Sequence, residues 1–214
     1  MRSVTAPALV ALVIGGCFAA GDWYSRWREN ARLEYVCKPG TLVALVAAAA
    51  LLDPHDGSVR AWFVAALALS LVGDVLLMLP HEQFVGGLVA FLLGHLCYVG
   101  GFIASGLRGP ATALALAGTA IVLAPVARRV LRGVGAHEPA LRAPVVAYLV
   151  VIGSMLALAV ASGNVLAAVA AALFVTSDSM IAWSRFVAPF SAASIAIMVT
   201  YHLAQAGFVV SLLR

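Results

Sequence analysis

Two carboxylates stand inside long apolar stretches of this chain, Asp74 in AWFVAALALSLVGDVLLML and Asp178 in VLAAVAAALFVTSDSMIAW. An ionised side chain in such a stretch is costly unless it faces a protein interior or a wet cavity, so an intramembrane acid marks a functional site by default. Two carboxyls sharing a low-dielectric cavity do not ionise equally. One can keep its proton as a general acid while the other, charged, stabilises a cation or activates water. Asp74 and Asp178 are therefore the candidate catalytic pair.

Helical spacing gathers further polar groups around them. Ser70 lies one turn before Asp74, on the same face, and Ser177 immediately precedes Asp178. Phe84, Gly87, Phe91, His95 and Tyr98 follow the rhythm of one helix face. Phe174, Asp178, Ile181 and Arg185 form another stripe, which ends in a cation. Ser194, Met198, Tyr201, Gln205 and Phe208 form a third, with His202 one step round the helix. Lys38-Pro39 opens a further apolar run, and Gly73 is expected to let a neighbouring backbone come close. Each polar residue also has a purely structural reading, as an interhelical hydrogen bond or a snorkelling cation.

Metal chemistry has little to work with. A catalytic zinc needs three protein ligands; within the apolar stretches only His95 and His202 could join the aspartates, and no HxxxH or HExxH spacing occurs. Cys17, Cys37 and Cys97 are scattered, with no CxxC, and read as small buried hydrophobes. No metal and no cofactor is expected.

The elements that must position these residues follow from composition. The chain is 64% hydrophobic and 10% charged, with mean hydropathy +1.05. A soluble domain carries about 25% charged residues, so this is the composition of a polytopic membrane protein. Apolar runs of about 20 residues are found at 4–20, 36–52, 61–79, 84–104, 111–127, 144–161, 165–183 and 191–213. They predict an all-α transmembrane bundle of about eight spans forming one integral membrane domain over 1–214. Span 5 is interrupted by Pro125. Breaks fall at Asp53–Gly57, Arg108–Pro110, the Arg128–Pro144 stretch and Ser162–Asn164. Ile14-Gly15-Gly16-Cys17 loosely resembles a lipoprotein cleavage box, but Arg2 alone, followed by Pro7, makes a poor charged leader, so a retained first helix is expected.

Nine Lys and Arg (Arg26, Arg28, Arg32, Lys38, Arg128, Arg129, Arg132, Arg142, Arg185) fall in or beside odd-numbered loops. Four (Arg2, Arg60, Arg108, Arg214) fall in even loops and at the ends. The bias places odd loops in the cytoplasm and both termini outside, in a bacterial inner membrane. Basic residues spread between spans in this way set topology and do not form a nucleic-acid surface. Spans 3 and 7 run in the same direction. Asp74, six residues before Pro80, and Asp178, seven before Arg185, are expected about 10 Å from one membrane face. Asp74 precedes Tyr98 by 24 residues, and Asp178 precedes His202 by the same interval, which suggests a four-plus-four parallel repeat.

Taken together, Lys38-Pro39, Ser70-x-x-Gly73-Asp74-x-x-Leu77-Met78, Phe84-x-x-Gly87-x-x-x-Phe91-x-x-x-His95-x-x-Tyr98, Ser177-Asp178 with Arg185-Phe186, and Tyr201-x-x-x-Gln205 resemble the lysoplasmalogenase (YhhN-like) family of integral membrane proteins. The resemblance covers about residues 36 to 208. It implies an eight-helix bundle without organic cofactor that hydrolyses the vinyl-ether bond of a lysophospholipid drawn from the bilayer, giving a fatty aldehyde and a glycerophospho-base. On that reading Asp74 and Asp178 divide the acid and base work, and Lys38 and Arg185 hold the lipid phosphate. His95, Tyr98, Tyr201 and Gln205, with Ser70 and Ser177, orient substrate or water. The rival reading from the same paired acids is a proton-coupled transporter of a small or lipidic solute. A metal-dependent lipid amidase or esterase and a non-catalytic lipid-binding protein are further alternatives.

Overall fold

The computed structural model describes residues 4–79, 83–106 and 109–214; Arg2, Pro80 and Arg108 lie outside the described residues. Within them the chain forms eight helices and no strand: α1 (Ala6–Trp27), α2 (Ala31–Leu51), α3 (Gly57–Met78), α4 (Phe84–Ala104), α5 (Gly109–His137), α6 (Arg142–Ala161), α7 (Val165–Phe186) and α8 (Ala193–Ser211). All eight are long and apolar enough to cross a membrane, and the chain is a multi-pass integral membrane protein.

Local chemistry sets the helix starts. Thr5 accepts a hydrogen bond from the Ala8 amide, with Pro7 in the first turn of α1. Asn30 and Asn164 cap α2 and α7 in the same way, through Leu33 and Ala167. At the start of α3, the Asp56 carboxylate accepts from both the amide and the hydroxyl of Ser58 at 2.7 Å. These two bonds hold its carboxyl below the usual range. Gly163, at φ 75°, makes the left-handed turn between α6 and α7 that a residue with a Cβ adopts with strain.

Two elements differ from the expected spans. Span 1 was expected to end at residue 20, yet α1 continues to Trp27 and buries Asp22 and Ser25. Apolar-run reading stops at the first charge, whereas a helix continues wherever its polar side chains find protein partners. Span 5 was expected to stop near Pro125, with a break from Arg128. Instead α5 runs through Pro125 to His137. One proline removes one backbone bond, and within a membrane the neighbouring turns sustain the helix. Its far half buries Val130 and Val134 against Val145 and Phe186.

The helices pack as four hairpins, α1–α2, α3–α4, α5–α6 and α7–α8. Within each set of four, the second and third helices also touch, as α2–α3 and α6–α7. Across the sets, α2 meets α8 and α4 meets α6. The two sets are not fully alike, since among the described residues α1 and α3 also meet α8, and α5 meets α7, without a counterpart in the other set. The central core is aromatic: Tyr98 stacks on Phe208 at 4.1 Å between centroids, and Phe63 meets Tyr98 edge-on at 5.0 Å. A Cβ at Gly73 would lie 2.7 Å from the Phe91 ring, and a Cβ at Gly87 would lie 3.5 Å from the Gly73 carbonyl oxygen, so the glycine both seats a ring and lets α4 come close. Phe91 is thereby seated beside Asp74.

Candidate active site

Near the membrane face that carries the α1–α2, α3–α4, α5–α6 and α7–α8 connections, the bundle encloses a chamber of about 370 Å³. Its polar wall includes Lys38, Asp74, Ser177, Asp178, Arg185 and Tyr201, with Arg26 and Glu34 at the rim; Phe84, Phe91 and Met198 are among its apolar lining. Both aspartates thus face one space. Their helices end at different heights, however, because Asp74 is four residues from the end of α3 and Asp178 eight from the end of α7. α3 and α7 are both 22 residues long, so the two side chains reach the chamber from different distances to their helix ends.

Asp74 is held by a cation and a phenol. Lys38 Nζ lies 3.2 Å from Oδ1, and the Tyr201 hydroxyl donates to Oδ2 at 2.7 Å. Lys38 and Asp74 are both buried, so their attraction is little screened by solvent. Lys38, expected to hold a lipid phosphate, lines the chamber with its ammonium against the Asp74 carboxylate.

Asp178 is met by a phenol and an imidazole. Its Oδ2 accepts a hydrogen bond from the Tyr148 hydroxyl. His95 Nε2 lies 3.8 Å away, too long for a direct hydrogen bond. The His95 ring is wedged edge-on between Tyr148 and Phe174, with centroids at 5.3 and 4.6 Å. His95 therefore backs Asp178 without lining the chamber.

Asp178 also lines a second space. A narrow apolar cleft among α4, α5, α6 and α7, walled by Leu88, Leu123, Val126, Leu149, Ile152 and Val175, shares Leu77, Phe84, Phe91, Asp178 and Ile181 with the chamber. Asp178 marks the junction of a polar room and an apolar slot.

Three expected site residues sit elsewhere. Tyr98 donates to Gln205 Oε1 at 2.6 Å, and both are fully buried in the aromatic core, off the chamber wall. A stripe with 3,4 spacing runs the length of a helix, so sharing a face with Asp74's partner Tyr201 places Gln205 a turn deeper. Ser70 is likewise buried off the wall, beside the α3–α4 contact at Gly94. Ser177 is on the wall, with its hydroxyl donating to the Ile197 carbonyl at 3.2 Å. Arg185 is at the mouth, paired with Glu138 at 3.2 Å and lying over the Phe84 ring at 3.6 Å.

Sequence reading missed Tyr148, Glu138, Asp22 and Arg26. A hydroxyl in the middle of the otherwise apolar sixth span was the available signal for Tyr148. Asp22 and Arg26 were assigned to a loop. Among the described residues no group of three His, Cys, Asp or Glu side chains converges to hold a metal.

Comparison with known proteins places the chain. It is similar to a lysoplasmalogenase of Mycobacterium bovis, 34% identical over 170 residues that cover 77% of this chain and 65% of the relative. It is also similar to human lysoplasmalogenase TMEM86B, 39% identical over 150 residues that cover 70% and 62%, and to the mouse protein, 35% identical over 159 residues that cover 74% and 66%. The matches thus span a little under two thirds of the length of these relatives. No solved structure matches it significantly. A family model covers residues 33–212, a segment that includes both aspartates, Lys38, His95, Tyr148, Arg185 and Tyr201, and on that match the chain belongs to the YhhN family.

Proposed function

We propose that this protein hydrolyses the vinyl-ether bond of 1-alkenyl lysophospholipids, releasing a fatty aldehyde and a glycerophospho-base. The observation that carries the reading is the position of Asp178 at the meeting of the polar chamber and the apolar cleft. In such a lipid the reactive bond lies at the same kind of boundary, with a hydrocarbon chain on one side and a phosphorylated glycerol on the other. The names of the curated relatives point the same way.

The alkenyl chain would enter the cleft, and the phosphate would meet Arg185 at the mouth. Asp178, which has a phenol and an imidazole beside it and no cation, holds the proton. It protonates the β-carbon of the vinyl ether and leaves an oxocarbenium ion. Asp74, kept charged by Lys38, stabilises that ion and takes a proton from the water that adds to it. The hemiacetal then collapses: its hydroxyl proton returns to Asp178, the carbon–oxygen bond to glycerol breaks, and the glycerol oxygen takes the proton from Asp74. Both carboxyls are restored, and the net change is addition of one water across the bond.

The basic bias of the odd loops would put the chamber at the cytoplasmic face of a bacterial inner membrane. The test is mass-spectrometric detection of free aldehyde when purified protein meets a 1-alkenyl lysophospholipid, with the saturated 1-alkyl analogue as control. No aldehyde, accompanied by proton-coupled solute uptake into proteoliposomes, would replace the reading with a transporter.

A further inference from the structure

Beside Lys38 the seam between α1 and α2 carries a third buried carboxylate. The two helices approach closely where a Cβ on Gly21 would lie 2.7 Å from Cys37 Sγ, and the next residues along, Asp22 and Lys38, belong to this seam. Asp22 is fully buried. Arg26 Nε is 3.8 Å from Asp22 Oδ1, while Arg26 Nη2 is 2.6 Å from Glu34 Oε1. Opposite charges along this seam pair as Glu34–Arg26, Arg26–Asp22 and, next to them, Lys38–Asp74.

Asp22 is under-used where it stands. Beside the Arg26 pair, its Oδ1 receives a long 3.5 Å contact from the Ser25 hydroxyl, and Oδ2 has no hydrogen-bond partner in the protein. In the same region Trp23 stacks on His202 at 6.3 Å between centroids, and neither the indole N–H nor either imidazole nitrogen has a protein partner. Buried polar atoms without protein partners are normally satisfied by ordered water. An ammonium offers three donors, and Asp74 takes one of those on Lys38. The matched family segment begins at Leu33, so Asp22, Trp23 and Arg26 come from the chain before it.

We propose that Asp22 is a positioning residue for the site: across the α1–α2 seam, and through water bound between Asp22 and Lys38, it shares the Lys38 ammonium with Asp74 and keeps that ammonium aimed at Asp74. α1 then completes the site and is more than a membrane anchor. The effect on turnover rests on the proposed hydrolase reading; the placement of Lys38 does not.

One feature of the composition makes the test clean, because Lys38 is the only lysine in the chain. Protein labelled with carbon-13 at the lysine ε-position gives a single lysine side-chain signal. Asp22→Asn keeps the shape and removes the charge. It is expected to shift or split that signal and to lower kcat about tenfold or more, the scale of one lost charge-assisted hydrogen bond, with KM nearly unchanged. Asp22→Glu is expected to recover part of kcat. A merely structural Asp22 would lower the thermal midpoint while the folded protein kept its lysine signal and kcat, and that result overturns the proposal. Should Asp22→Asn give no folded protein, Arg26→Gln at the rim must move the lysine signal, and an unmoved signal there also overturns it. If the wild type cleaves no alkenyl lipid, the proposed function fails, while the NMR arm still decides the role of Asp22.

Discussion

Asp74 and Asp178 occupy corresponding places in the two four-helix halves, each on the third helix of its set. Each is approached by a side chain from the second helix of its own half: Lys38 on α2 for Asp74, Tyr148 on α6 for Asp178. Each is also approached from the fourth helix of the other half, by Tyr201 on α8 and by His95 on α4. The frames match and the charges do not. One acid is neutralised by an ammonium, the other only by hydrogen-bonding and aromatic groups. Both partner positions differ, Lys38 against Tyr148 and Tyr201 against His95, and such unequal surroundings are what the proposed division into acid and base requires.

The strongest way to break this comparison is to remove the acids themselves. Asp178→Asn and Asp74→Asn should each lower aldehyde release by about 10²–10⁴-fold, the usual worth of general acid–base help. Near-wild-type turnover in Asp178→Asn would end its role as proton donor.

The partners come next. Lys38→Met leaves Asp74 buried without a counter-charge, and loss of one member of such a pair costs about 3–5 kcal/mol. Tyr148→Phe removes one hydrogen bond from Asp178, worth about 1–2 kcal/mol. Thermal melts in detergent should therefore rank Lys38→Met well below Tyr148→Phe. Adding Asp74→Asn to Lys38→Met should recover most of the lost midpoint. Equal effects from the two single variants would mean that the halves are electrostatically alike after all.

Far from the chamber the effects should shrink. Asn164→Ala removes the cap of α7 and the amide bond to the Ser211 carbonyl. It should cost about 1 kcal/mol and leave aldehyde release unchanged. The Asp56 cap should contribute the least. Its carboxyl is held below the ordinary 3.8 by Ser58, so its stabilisation is complete above that value and lost as pH falls through the folded one. Asp56→Asn should flatten that acid limb of the thermal midpoint, measured by melts across acidic pH.

Much of the membrane architecture is legible in the sequence, because hydropathy is a property of consecutive residues: eight runs were expected, and eight helices form. Asp74 and Asp178 were equally visible, since a charge in an apolar run stands out. Tyr148 was not, because a phenol is amphipathic enough to pass for span lining, and only proximity to Asp178 gives its hydroxyl a task. Asp22 and Arg26 were hidden differently. Their charges cut the apolar run at residue 20, although the helix continues and its protein neighbours take them in.

By itself the sequence determined the number of spans and the two acids, both of which depend on residue type and short-range spacing. Tertiary structure alone decided which side chain faces which carboxylate, that Tyr98 and Gln205 pair in the core and not at the chamber, and that Asp178 stands where apolar cleft meets polar room. The physical reason is reach. Hydropathy and capping act within a few turns, whereas Tyr201 meets Asp74 from 127 positions away, and nothing local to either residue encodes that meeting.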